Sequence, residues 1–150
     1  KLAEYSRTGT TWETLESNIL KLLKYHKLQV NITTSILTIH KLDETIKYLQ
    51  SLGIDQVYYF NVLTSPNFMS VNLLPTDHKK QLWDKLNLKT LDIDPKLGYN
   101  QLKEILFEEP NNKQELLDYF KKFNQSLDTV RNTSLQEANR ELWNVLNETS

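Results

Sequence analysis

The sequence predicts an α/β fold over its first half, with about three parallel strands, followed by a helical tail. Three observations carry this. Between Thr10 and Leu86, helical patterns alternate with short runs that are β-branched or almost continuously apolar. Strand, helix and strand in that order imply parallel pairing through a crossover. Beyond Leu86 only helix-period stripes recur. Residues 1–87 therefore form the strand-bearing part, and 88–150 an irregular linker and helical tail of the same domain.

The elements follow in order. Thr10 and Glu13 stand at capping-box spacing, after which Trp12, Leu15, Ile19, Leu22, Leu23 and His26 recur on one helical face. Val30 to Leu37 is short and rich in β-branched residues, as a strand requires. Leu42, Ile46, Leu49 and Leu52 form the next helical stripe. Gly53 follows where a left-handed cap is needed, with Ile54 to close it. Val57 to Leu63 is the second strand, and its near-continuous apolar character suits a sheet covered by helices. Phe68 to Leu73 is the third. Pro75 and Thr76 open a helix carrying Leu82, Trp83 and Leu86. Leu88 to Gly98 is irregular, broken by Pro95 and Gly98. Tail helices are predicted at Tyr99–Phe107, Lys113–Val130 and Ser134–Leu146. The last two are introduced by Asn112/Glu115 and Ser134/Glu137 at capping spacing.

Composition narrows the function. The 150 residues are 39% apolar, enough for a real core, and the 25% that are charged nearly cancel to a net charge of −1. There is no basic excess or stripe of the kind that marks a nucleic-acid partner. No apolar run approaches the roughly 18 residues of a membrane helix, and no signal peptide opens the chain. A cytoplasmic protein without nucleic-acid or membrane partners is expected. The chain has no Cys, which excludes disulfides, thiolate catalysis and Cys-ligated metal or cluster sites within it. It starts at Lys1 in a Leu-Ala-Glu-Tyr run already under way, so it is expected to begin in mid-fold.

Charged and motif-like candidates read as ordinary structure. His26, His40 and His78 are far apart in sequence without i, i+4 pairing, and read as surface or core-edge histidines. Glu108-Glu109 and Asp92/Asp94 read as solvated carboxylates. Thr8-Gly9-Thr10 is too short for a phosphate loop. Four Asn-x-Ser/Thr sequons, at Asn31, Asn124, Asn132 and Asn147, exceed the roughly two expected by chance too little to imply secretion.

The strand faces are more informative. Asn31, Thr33 and Ser35 share one face of the first strand, opposite Val30, Ile32 and Ile36. In the second, Asn61 shares its face with Tyr59 and Leu63. In the third, Ser70 and Asn72 oppose Met69, Val71 and Leu73. Each strand thus offers uncharged hydrogen-bonding groups on one side, toward its carboxyl end, where parallel α/β folds bind ligands. Amides and hydroxyls suit ribose hydroxyls, amides or an amino-acid moiety. They do not suit acid–base catalysis, which needs a titrating group. The alternative is that these positions are polar edge or solvent-facing sites of the sheet.

A family resemblance bears on that choice. Glu4-Tyr5-Ser6-Arg7, followed by Trp12 and Asn18-Ile19, resembles the segment after the third barrel strand in radical SAM proteins with an accessory "twitch" cluster domain. Thr33-Thr34-Ser35 resembles the Thr-x-Ser of their fourth strand, although Thr38 stands where the family often has Asn. Asn61-Val62-Leu63-Thr64-Ser65-Pro66, with Phe68-Met69-Ser70 and Leu74-Pro75, resembles their Asn-x-Leu…Pro…Leu-Ser…Leu-Pro stretch. Phe123…Leu127-Asp128-x-x-Arg131-x-x-Ser134 resembles their closing Leu-Asp-x-x-Arg motif. The match skips roughly Leu88 to Glu109.

The resemblance implies the C-terminal portion of a partial (β/α) TIM-like barrel. Its missing N-terminal part would carry a Cys-x-x-x-Cys-x-x-Cys loop binding a [4Fe–4S] cluster. S-adenosylmethionine would bind the open iron and be cleaved reductively to a 5′-deoxyadenosyl radical, acting on a peptide or small-molecule substrate. The cluster ligands and twitch cysteines are absent from this chain, so no independent activity is expected of it. Thr33, Ser35, Asn61, Ser70 and Asn72 are expected on the helix-free face. Ser35 and Asn61 are the foremost contacts to the ribose or methionine part of the cofactor, and Arg7 is a candidate for a carboxylate or substrate contact. The other class of function is a stand-alone α/β binding or interaction module without catalysis.

Overall fold

A computed structural model describes residues 2–7, 9–54, 58–86 and 98–148, with the side chains of 58–60 and 148 left aside. Eight α-helices and two strands are described. They are α1 (Leu2–Ser6), α2 (Trp12–Leu23), β1 (Val30–Thr34), α3 (Leu42–Ser51), β2 (Tyr58–Val62), α4 (Thr76–Lys85), α5 (Tyr99–Phe107), α6 (Lys113–Arg131), α7 (Leu135–Ala138) and α8 (Arg140–Glu148). Short 3₁₀ turns occupy Ile39–Lys41, Asn67–Met69 and Val71–Leu73.

The expected fold class is corrected on this architecture. The described chain is mostly helical, and its sheet has two strands, not three, so it is not a three-stranded portion of a TIM-like barrel. β1 and β2 pair in parallel, with Val30 opposite Tyr58, Thr33 opposite Asn61 and Thr34 opposite Val62. The third strand fails for a local reason. Met69 N–H donates to Pro66 O, Ser70 N–H to Asn67 O, Leu73 N–H to Ser70 O and Leu74 N–H to Val71 O. Four donors that a ladder would need are spent on i→i+3 bonds. The Ser70 hydroxyl also caps the second turn by accepting from Asn72 N–H at 3.5 Å. Hydroxyls that bond nearby backbone compete with sheet ladders, and here the hydroxyl wins. Among the described residues, the segment reaches the sheet region through Met69 O, which accepts from Ile36 N–H at 3.0 Å.

Helix ends show a similar competition. The N-cap of α2 is Thr11, which accepts from Thr14 N–H, one residue after the expected Thr10. No residue of α2 is buried. Gly53 adopts φ +90°, and Ile54 N–H donates back to Leu49 O, ending α3 as expected. Asn112 makes no capping bond, whereas Ser134 caps α7 through Glu137 N–H. The expected single helix from Ser134 to Leu146 is broken at Asn139, whose side chain serves as the cap of α8. The expected start of the second strand at Val57, the irregular stretch through Leu97 and the pair Asp92/Asp94 lie outside the described residues.

The core gathers Ile36, Ile39, Ile46 and Ile54 from the strand-bearing half and Leu102, Leu106, Phe120 and Leu142 from the tail. Each such side chain contributes about 1.5–3 kcal/mol by leaving water. α5 packs on β2 and on the Val71–Leu73 turn, and α6 packs on the Asn67–Met69 turn. There Phe68 meets Tyr119 and Phe123. The halves share one core, and Asn31, Thr33 and Asn61 of the strand pair stay exposed.

Candidate functional site

The exposed face of the strand pair follows from register. Thr34 and Val62 are opposite each other and buried; one residue earlier, Thr33 and Asn61 are opposite each other and exposed. Neither the Thr33 hydroxyl nor the Asn61 amide has a hydrogen-bond partner among the described residues, so both can meet a ligand. Thr33 also lines a groove of about 600 Å³ with Ile32, Thr38, Lys41, Thr45 and Tyr48. That volume suits a small molecule or cofactor.

The other expected residues are placed differently. Ser35 is buried, and its hydroxyl lies 3.3 Å from that of Thr38. Thr38 organises this exit from β1: its hydroxyl donates to Thr33 O at 3.2 Å and accepts from Ser35 N–H at 2.9 Å. Ser35 and Thr38 therefore shape the turn that ends β1. Ser70 lies between the two 3₁₀ turns and Asn72 on the second, neither on a strand, with Ser70 buried. The Asn72 side-chain oxygen is enclosed and has no partner among the described residues. Arg7 is exposed at the end of α1.

Residues of the first and last motifs meet. The Tyr5 hydroxyl donates to Asn124 Oδ1 at 3.2 Å, and Arg131 Nη1 donates to Tyr5 O at 3.4 Å. Burial pushes the Tyr5 phenol pKa up, and Asp128 adds to the shift. Asp128 in turn accepts from Thr133 Oγ1 and from Leu135 N–H, both at 2.9 Å, closing the turn between α6 and α7. Asn139 Nδ2 donates to Leu37 O at 2.8 Å, and Asn139 Oδ1 accepts from Leu142 N–H. The tail motif fastens the tail to α1 through Arg131. Asn139 fastens it to the turn after β1. A hollow of about 420 Å³ among Asn124, Asp128, Thr133, Trp143 and Leu146 lies in this junction. Its Asn124 and Asp128 are already engaged in these internal bonds.

Two charged features differ from their sequence reading. Glu109 is not simply solvated. It accepts from Lys79 Nζ at 2.7 Å and from Lys113 Nζ at 3.1 Å, while Lys113 also donates to Leu74 O. Lys79 is fully enclosed, and burial lowers its pKa; the hydrogen bond from Lys79 lowers that of Glu109. His40 and His78 are not isolated either: their Nε2 atoms lie 2.7 Å apart, with Glu141 beside them. No sequence spacing signals this, because the three residues come from the turn before α3, from α4 and from α8.

Compared with family models, curated proteins and solved structures, the chain matches none of them.

Proposed function

We propose that this chain is part of a radical SAM enzyme, in which Thr33 and Asn61 contact the ribose or methionine part of S-adenosylmethionine. One observation carries the reading. The exposed polar pair lies at the carboxyl end of two parallel strands, the end at which parallel α/β sheets bind ligands, and both groups are uncharged and unengaged among the described residues. The order of the sequence motifs supports it, as does the contact between Tyr5 of the first motif and Arg131 of the last. Ser35 and Thr38 serve the same site indirectly by fixing the backbone at Thr33.

The chain does not fit the cluster itself, since it has no thiolate to offer. On this reading the ligands are cysteines outside these 150 residues. The cluster would supply the electron that cleaves S-adenosylmethionine to a 5′-deoxyadenosyl radical. The residues here would bind and orient the nucleoside, and a peptide or small-molecule substrate would be met by the completed protein in the cytoplasm. Among the described residues no helix is long and apolar enough to cross a membrane.

The test is to read the coding sequence upstream of Lys1 and express the extended protein anaerobically with iron and sulfide. Formation of 5′-deoxyadenosine by the extended protein, and not by the 150-residue chain, supports the proposal. An upstream frame without the three-cysteine loop, or an extended protein that carries it but leaves S-adenosylmethionine intact, overturns it. The second outcome leaves a non-catalytic binding module as the better account.

A further inference from the structure

Three side chains from three separate segments converge away from the strand-end face. His40 follows β1, His78 sits in the first half of α4, and Glu141 lies in the first turn of α8. One ligand-type atom from each lies within 4.8 Å of the others. His40 is fully enclosed, whereas His78 and Glu141 are half-buried, so the cluster opens to solvent on one side. We propose that His40, His78 and Glu141 form a binding site for a zinc-type divalent cation that clamps these three segments together.

The chemistry begins with the two imidazoles. Two bare Nε2 lone pairs cannot face each other at 2.7 Å, so one nitrogen must carry a proton that the other accepts. A cation can take the place of that shared proton. Two imidazole nitrogens about 2.0–2.1 Å from a tetrahedral zinc lie about 3.3 Å apart. The rings need to separate by roughly 0.6 Å for this. His78, half-exposed on a helix, is the ring free to make that movement, while His40 is held on all sides. Glu141 then supplies the third ligand and a negative charge. The open side leaves a fourth position for water, as in zinc sites with three protein ligands. Two nitrogens and one carboxylate favour zinc, cobalt or nickel over magnesium and calcium, which take oxygen ligands.

The surroundings set the strength. His40 is wholly enclosed, so its ring is held in place as a ligand. Lys41 and Lys85 lie close enough to bias His40 against positive charge, and they oppose the cation as well. His40 Nδ1 is enclosed without a partner among the described residues. A ligating histidine normally donates from its second nitrogen, and loss of such a partner weakens metal sites about 10–100-fold. The expected affinity is therefore micromolar rather than nanomolar.

The test uses the 150-residue chain stripped of metal with a chelator and then titrated with zinc by calorimetry. Cobalt serves as a spectroscopic probe of coordination. One equivalent of zinc should bind with a micromolar Kd, raise the thermal midpoint, and give the intense visible bands of four-coordinate cobalt. His78→Ala should weaken binding at least about 100-fold and Glu141→Gln about tenfold. His26→Ala, at an exposed histidine elsewhere, should leave it unchanged. Both cluster variants alter half-buried side chains, so His40 keeps its place in the core. Binding no tighter than millimolar overturns the proposal, and so does micromolar binding that survives His78→Ala.

Discussion

The strand-end face and the tail junction both carry residues from motifs of the same resemblance, and the fold uses them in opposite ways. At the junction nearly every polar group is engaged. Asp128 closes a turn, Arg131 reaches α1, Ser134 caps a helix and Asn139 bonds both Leu37 and Leu142. On the face, Thr33 and Asn61 are exposed and have no partner among the described residues. A motif can therefore mark scaffold or site, and hydrogen-bond accounting separates the two. The contrast predicts that junction substitutions cost stability and that face substitutions cost ligand binding alone.

Asn139 should show the largest effect. Asn139→Ala removes the donor to Leu37 O and the cap on Leu142 N–H at a buried position. A buried hydrogen bond and an N-cap together are worth about 2–4 kcal/mol. Urea denaturation should show that loss with an unchanged slope. A loss below about 0.5 kcal/mol, the range of ordinary surface changes, would place the junction outside the cooperative core.

Acid should come next. His40 is held neutral by burial, then by His78, Lys85 and Lys41, with Glu141 opposing at the His78 end. Its folded pKa of about 3 lies below the ordinary 6.5. The unfolded chain therefore binds a proton that the folded chain refuses. Stability is complete above pH ~6.5 and falls as pH drops toward 3, by up to about 1.4 kcal/mol per pH unit. The expected loss at pH 5 is up to about 2 kcal/mol, measured in chelator-containing buffer. A flat profile between pH 7 and 5 would mean that His40 accepts its proton without unfolding.

How much of this was legible in the sequence depends on the range of the interaction. Gly53 and Ser134 act through neighbours within a few residues, and their roles could be read from spacing. The stretch from Phe68 to Leu73 has period-two alternation, yet Ser70 and local i→i+3 bonds turn it into 3₁₀ structure. Hydrophobic period cannot weigh that competition. Pairings such as His40 with His78, Lys79 with Glu109 and Tyr5 with Asn124 join distant segments, and no spacing rule reaches them. The face residues Thr33 and Asn61 were visible because strand alternation fixes a face locally. Ser35, expected on the open face, is buried because the turn at Thr38 folds back on it.

Thr38 stands between the two regions and should have an intermediate effect. Its hydroxyl donates to Thr33 O and accepts from Ser35 N–H, so Thr38→Val keeps the shape and removes both bonds. A net hydrogen bond contributes about 0.5–1.5 kcal/mol, and a thermal scan should register a loss of about that size. Amide exchange should quicken at Ser35 and Ile36 while that of the tail helices stays as it was. Faster exchange throughout the molecule would instead make the turn part of the global core.

The smallest stability effect is expected at the face itself, in the double variant Thr33→Val/Asn61→Ala. Both side chains are exposed, and neither is hydrogen-bonded among the described residues. Surface changes of that kind stay within about ±0.5 kcal/mol, and β-branched Val keeps the strand preference of Thr. The denaturation midpoint should barely move. Binding should respond differently, because a ligand that uses the Asn61 amide and the Thr33 hydroxyl loses both contacts. S-adenosylmethionine, titrated into isotopically labelled protein, should shift resonances of β1 and β2 in the parent chain. The same titration of the double variant should need at least about tenfold more ligand, the equivalent of one net hydrogen bond. An unstable variant would show that the face is structural after all. A stable variant that binds S-adenosylmethionine as well as the parent would move the nucleoside site away from the strand ends, even if the extended protein proved active.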